Sequence, residues 1–210
     1  MDFIESKKLL EKYKIKFVKG KLVKNRKELT DTIKKIGFPL TLKVISKEIS
    51  HKTDAGGVQL NIQNEKQAIE KFNLILKNVK KKAPKARIDG VFVQKFIEGK
   101  QIIIGGKTDK QFGPTILFGL GGIFVELMKD VSLRICPITR EDAKEMILEI
   151  KGYQILKGMR GEKSVNLKEI ENTLMKVNSL MIKEKIKELD INPLIANEKE
   201  VIAVDARVIE

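Results

Sequence analysis

The sequence holds one cysteine, one histidine, no tryptophan and only five prolines in 210 residues, and each scarcity excludes something. Cys136 alone cannot form an internal disulfide and leaves no cysteine spacing for a metal cage, so a reducing, cytoplasmic setting is expected. The first twelve residues carry charges from Asp2 onward without an apolar core segment, and the longest apolar stretch, around Thr115 to Met128, is short and broken by glycines. Neither a signal peptide nor a membrane span is expected. Aromatics make up 5% of the chain and only six of its 42 basic residues are arginine, which argues against a dedicated nucleic-acid face.

What is abundant is lysine. The 42 basic residues against 28 acidic ones leave a net charge of +14, a balance open to nucleic acid, an acidic partner protein or a phosphorylated ligand. Runs such as Lys77 to Lys85 flank a predicted helix end and read as a solvated lysine surface. The 42% hydrophobic content suffices for a core in one compact unit or two small lobes.

Helix starts are legible as caps. Asp2 with Glu5, Asn25 with Glu28 and Asn64 with Gln67 each place a capping oxygen three residues before a side chain that can return the bond. The second helix should stop at Gly37, before Phe38-Pro39. Ala68, Phe72, Ile75, Leu76 and Val79 recur at helical spacing, as do Leu167, Ile170, Leu174, Val177 and Met181. Strand-like runs cover 40–45, 58–62, 91–93, 102–104, 115–118, 131–135, 191–195 and 201–204. The expected fold class is α+β, with an N-terminal lobe over 1–94 and a C-terminal lobe over 95–210 around a ligand cleft.

Four places concentrate chemistry. The segment Ser46 to Gly57 holds His51, whose imidazole can be base, ligand or nucleophile toward phosphorus, among Ser50, Lys52 and Thr53 as phosphate donors. In a polar loop it can equally be a solvated side chain. Asp54 either orients the ring or caps the turn, and Gly56-Gly57 either admit a phosphate or reverse the chain. Lys43 interrupts an apolar strand and must reach an edge, a wet face or an anion. Phe118 to Glu126 joins a strand to a helix through glycines that let backbone amides approach phosphate, or simply make a tight turn. Asn192 and Asp205 interrupt two strands able to pair as a hairpin, which would set an amide oxygen beside a carboxylate as magnesium requires; the alternative is an Asn-Pro turn and a strand end.

Taken together, Ser50-His-Lys-Thr-Asp54, Asp109-Lys-Gln-Phe-Gly-Pro114, Phe118 to Glu126, Lys129-Asp130, Cys136-Pro-Ile-Thr139, Gly158-Met-Arg-Gly161, Leu189 to Leu194 and Val204-Asp-Ala-Arg207 resemble, in that order, the β subunit of ADP-forming acyl-CoA synthetases. That family has the ATP-grasp fold and is related to the succinyl-CoA synthetase β subunit. The resemblance implies an acid–CoA ligase subunit that binds Mg2+ with ADP or ATP and passes phosphate between a phosphohistidine and the nucleotide. It implies a CoA-binding α subunit as partner, in an α2β2 assembly, and His51 as the phosphate carrier with Ser50, Lys52, Thr53 and Asp54 around it. Nucleotide contacts fall on Lys43, on the hinge Val93, Gln94, Lys95 and Phe96, and on Gly121 and Gly122; the metal falls to Asn192 and Asp205. The chain departs from the family pattern at Gln101, where glutamate is usual, and at Lys95. Two other functions fit the same residues: a self-contained ATP-grasp ligase joining a carboxylate to an amine, and a basic RNA-binding or regulatory module.

Overall fold

A computed structural model describes residues 1–49, 52–122, 130–159 and 161–210. The capped helices form where the sequence places them: α1 (Phe3–Lys12), α2 (Arg26–Ile36) and α3 (Glu65–Lys82). Asp2 accepts from the Glu5 amide at 2.9 Å while Glu5 accepts from the Asp2 amide at 2.7 Å. Asn25 and Asn64 each accept from the amide three residues on at 2.9 Å. These bonds satisfy donors that the first helical turn cannot pair internally. Helix α2 ends at Gly37, whose φ of 70° lies in the region glycine tolerates.

Residues Val18–Ile97 make one compact unit, and Met1–Phe17 with Glu98–Glu210 make another. In the first, β1 (Gly20–Val23), β2 (Leu40–Ile45), β3 (Val58–Ile62) and β4 (Gly90–Lys95) form an antiparallel sheet in the order β1-β4-β2-β3. Leu40, Leu42, Val44, Val91 and Val93 point to one face and pack with Leu29 and Ile33 of α2 and with Ala68, Phe72, Ile75 and Val79 of α3. The period-2 alternation of a strand then sends Thr41, Lys43, Phe92 and Gln94 to the opposite face. Strand β1 carries two charged or small residues in four, too few apolar positions to announce itself; it exists because β4 offers it a ladder.

The second unit holds a six-stranded sheet built from β5 (Lys100–Asp109), β6 (Gly113–Leu120), β7 (Val131–Ile135), β8 (Glu188–Ala196), β9 (Val201–Ala203) and β10 (Arg207–Ile209), in the order β10-β8-β5-β6-β7 with β9 also on β8. Helices α4 (Arg140–Glu149), α5 (Tyr153–Lys157) and α6 (Leu167–Lys183) belong to it. A Cβ on Gly106 would lie 2.6 Å from the Met181 sulfur, so a bare backbone lets α6 pack closely on β5. The N-terminal residues join this unit because Lys12 and Tyr13 both donate to Glu184 at 2.8 Å and the terminal amine donates to the Val208 carbonyl at 3.0 Å. Among the described residues no helix is long and apolar enough to cross a membrane.

Cys136 is 7% exposed, and burial pushes its thiol up to about 11. At pH 8 about one thiol in a thousand is then ionised. A disulfide reagent such as 5,5′-dithiobis(2-nitrobenzoate) should therefore label the native protein slowly at pH 8 and rapidly once urea unfolds it; fast native labelling would contradict the burial. Leu42, fully buried, should cost about 2–5 kcal/mol on replacement by alanine. Asn64→Ala removes only a cap and should cost about 1 kcal/mol. Urea denaturation of both variants checks the ordering.

Candidate functional site

In the unit Val18–Ile97 the helix-free sheet face is polar at its centre. Lys43 is 3% exposed, so it is not solvated. It stands opposite Phe92 in the β2–β4 ladder, and its Nζ lies 5.5 Å from the Phe92 ring centroid. The ring face offsets part of the cost of taking an ammonium out of water. Gly20, in β1, makes room for this: a Cβ there would sit 2.5 Å from Phe92 Cε1. Gln94, also 3% exposed, stands opposite both Thr41 and Gly20, on the same face as Lys43.

The hinge residues follow directly. Val93 belongs to the apolar core, whereas Lys95 and Phe96 are half-buried. The Lys95 amide donates to Lys19 O at 3.3 Å and the Phe96 amide to Pro39 O at 3.0 Å, while Lys95 Nζ donates to Phe38 O at 2.5 Å. Backbone donors at Lys95 and Phe96 are thus already engaged. Lys95 itself ties the end of β4 to the Phe38-Pro39 turn, a role the sequence did not disclose.

Ser50 and His51 lie outside the described residues. On one side of them Ile49 is buried in the core. On the other, Lys52 to Gly57 close a turn in which Gly57 N donates to Lys52 O at 2.8 Å, Gly56 N to Thr53 O at 2.9 Å and Val44 N to Gly57 O at 2.7 Å. Lys82 of α3 donates to Asp54 O at 2.5 Å. Gly56 has φ 68°, and a Cβ there would meet Asn78 Nδ2 at 2.8 Å. Of the two readings of this glycine pair, chain reversal is the one the geometry displays. Thr53 and Asp54 are exposed and Lys52 half-buried.

In the other unit, β6 runs into Gly121 and Gly122. Gly121 N donates to Gln101 O at 2.7 Å, and a Cβ on Gly121 would lie 3.0 Å from Gln101 backbone and Cβ atoms. Gly122 has φ 69°. Residues 123–129, which carry the rest of the motif through Glu126, lie outside the described residues. Beside the run, Asp130 is 8% exposed and accepts from the amides of Lys151 and Gly152, both at 2.7 Å. It caps the turn leading into α5, and a Cβ on Gly152 would strike Leu120 at 2.2 Å. Sequence reasoning left Asp130 without a role; a lone carboxylate after a glycine-rich run gives no signal for a cap twenty residues away.

Asn192 and Asp205 come together through strand register. Strand β8 pairs Leu194 with Ala203 on β9 and Asp190 with Arg207 on β10. Both ladders share one register, which continued across the gap between them sets Asn192 opposite Asp205. The Val204 amide donates to Pro193 O at 3.1 Å, closing that gap. Asp205 Oδ1 accepts from the Ala206 amide at 2.9 Å. A bulge in β8, between its pairings with Ile102 and Ile104 of β5, breaks the ladder where Asn192 sits. Asp190, two positions earlier on β8, is also exposed. Among the described residues no three His, Cys, Asp or Glu groups cluster as a metal cage. An amide oxygen facing a carboxylate instead matches magnesium, which takes one or two protein oxygens and fills its octahedron with phosphate and water.

Residues 1–209 match the family model described as an ATP-grasp domain. The chain is 46% identical over 207 residues to the β subunit of acetate–CoA ligase [ADP-forming] I of Pyrococcus furiosus, covering 98% of this chain and 89% of that one. It aligns with only 30% of a longer Archaeoglobus fulgidus acetate–CoA ligase [ADP-forming] I. Among solved structures, the dinucleotide-forming acetyl-coenzyme A synthetase 1 of Ca. Korarchaeum cryptofilum, in complex with coenzyme A and Ca-AMPCP, superposes with a TM-score of 0.95 at 40% identity, covering 100% of this chain and 92% of that one. A second structure of that enzyme, with coenzyme A and Mg-AMPPCP and its phosphohistidine segment pointing towards the nucleotide site, gives a TM-score of 0.84 at 37% identity, with 99% and 91% covered. This chain belongs to the ATP-grasp family, alongside the β subunits of the ADP-forming acyl-CoA ligases.

Proposed function

We propose that this chain is the nucleotide-handling β subunit of an ADP-forming acyl-CoA ligase, passing phosphate between phosphorylated His51 and ADP so that acyl-CoA cleavage drives ATP synthesis. The observation that carries the reading is a lysine held at 3% exposure on the helix-free face of the smaller sheet, in a chain that matches such a β subunit over 98% of its length.

In the transfer, a β-phosphate oxygen of ADP attacks the phosphorus and the N–P bond to His51 breaks; a proton carried on the other ring nitrogen of the phosphohistidine lets the imidazole leave neutral. The step gathers many anionic oxygens, and catalysis consists largely of positioning them and offsetting their charge. Lys43 supplies a fixed positive charge, with Lys52, Ser50 and Thr53 placed by sequence beside His51. Asn192 and Asp205 would hold Mg2+, which neutralises and orients the nucleotide phosphates when bound. Val93 to Phe96 would border the base, and Gly121 with Gly122 would let the chain pass close to phosphate. Acyl and CoA recognition would fall to a partner α subunit, in an α2β2 assembly; the alignment of this chain with only 30% of a longer ligase leaves room for such functions in the rest of that chain.

With its α subunit, acyl-CoA and labelled phosphate, the chain should acquire acid-labile label at His51 and transfer it to ADP. A competent mixture lacking that label sinks the relay. His51→Ala should reduce overall turnover to background while Mg-ADP binding persists, because it deletes a covalent carrier. Lys43→Ala should lower phosphate transfer about ten- to a hundredfold or more, the scale of one charge-assisted contact; an unchanged rate would remove Lys43 from the site.

A further inference from the structure

The net charge is unevenly held. Residues 18–97 contain 19 of the 42 basic residues and 7 of the 28 acidic ones, a net charge of +12, which leaves +2 for the other 130 residues. A lysine-rich composition alone would spread the excess over both units. The larger unit also neutralises its cations locally: Lys12 pairs with Glu184, Lys100 with Glu162 and Lys163 with Glu198. In the smaller unit Arg87 lies 3.8 Å from Asp89, whereas Lys77, Lys80, Lys81 and Lys85 are exposed and form no ion pair among the described residues.

The excess is densest at the end of α3. Between Glu70 and Asp89 the chain has seven basic residues and no acidic one. Cations in the last turn of a helix answer its dipole, which accounts for Lys80 to Lys82 but not for Lys77, a turn earlier, or for Lys85, beyond the helix end. Like charges this close repel one another, so the fold tolerates the cluster and gains nothing from it. The cluster adjoins the turn that follows His51. Lys82 donates to Asp54 O at 2.5 Å, Gly56 packs against Asn78, and Lys81 is the helical neighbour of Asn78, three residues on.

We infer that the end of α3 is a docking surface for an acidic face of the partner α subunit, steering that subunit to the turn next to His51 in sequence. The inference rests on the function just proposed, in which a phosphate carrier on this chain must meet chemistry held on the other. A group of uncompensated cations projects a field that speeds encounter with an acidic surface and disfavours other partners. Nucleic acid is the other polyanion that a basic patch attracts. Here Arg87 is the cluster's single arginine, and Phe72, the one aromatic residue of α3, is 4% exposed, so the helix offers bases no stacking platform. The chemistry of the cluster therefore favours carboxylates on a protein.

The test measures the association rate of the α subunit with the full chain at about 0.01 M and about 1 M salt, where charges act over about 30 Å and about 3 Å. Wild type should associate at least about tenfold faster at the lower salt. The triple variant Lys77→Glu, Lys81→Glu, Lys85→Glu should lose most of that advantage, match wild type at high salt, and bind Mg-ADP as wild type does. A triple variant that associates at the wild-type rate at low salt overturns the inference. Binding of a fluorescent oligouridylate that the variant loses, with its α-subunit association unchanged, overturns it too and makes the surface one for nucleic acid. Should the charge-reversed chain lose its cooperative unfolding transition, Lys77→Gln, Lys81→Gln, Lys85→Gln decides in its place, and an unchanged low-salt rate overturns the inference equally. Wild type that never associates with the α subunit overturns the β-subunit reading itself, whereas association that ignores salt removes the docking surface alone.

Discussion

The antiparallel pairing of β2 with β4 holds an ammonium group out of water, and much of the smaller unit is arranged around that constraint. Lys43 stands opposite Phe92 with its charge over the ring. A buried lysine is tolerated only where its charge is compensated. The ring can lie where it does because Gly20 on β1 carries no side chain. Helices α2 and α3 take up the apolar face of the same sheet, and period-2 alternation leaves Lys43, Thr41 and Gln94 on the other. The charge, the glycine and the amide are thus consequences of one strand register.

The glycine runs look from sequence like sources of amide donors for phosphate, but in the described residues those donors are largely committed. Gly56, Gly57 and Gly121 donate to Thr53, Lys52 and Gln101 carbonyls. What these glycines provide is close approach: Gly56 against Asn78, Gly57 against Val44, Gly121 against Gln101. Asp130 fits the same economy, spending its carboxylate on the two amides that open α5.

The larger unit solves a different problem, bringing two oxygen donors thirteen positions apart in sequence to face each other. One register shared by β8–β9 and β8–β10 does this, and the bulge against β5 keeps Asn192 out of an ordinary ladder. A pair of this kind is poor for zinc and well suited to a metal that keeps most of its shell for phosphate and water.

Much of this was legible in the sequence. Capping residues Asp2, Asn25 and Asn64 mark helix starts because the capping bond is local, and short β-branched and apolar runs mark β2, β3 and β7, although β2 is buried along its whole length and in β7 the apolar Val131, Leu133 and Ile135 are the exposed positions. Strands β1 and β10 escaped notice because four- and three-residue segments have no stability of their own and exist only through a neighbour's open edge. The oddity of Lys43, Asn192 and Asp205 was visible as polar residues inside apolar runs. What only the tertiary structure decided was who faces whom: Phe92 with Lys43, Asn192 with Asp205, and Asp130 with the start of α5. Those depend on the register of strands distant in sequence, and a one-residue slip, which no local propensity forbids, would turn every one of these side chains to the other face.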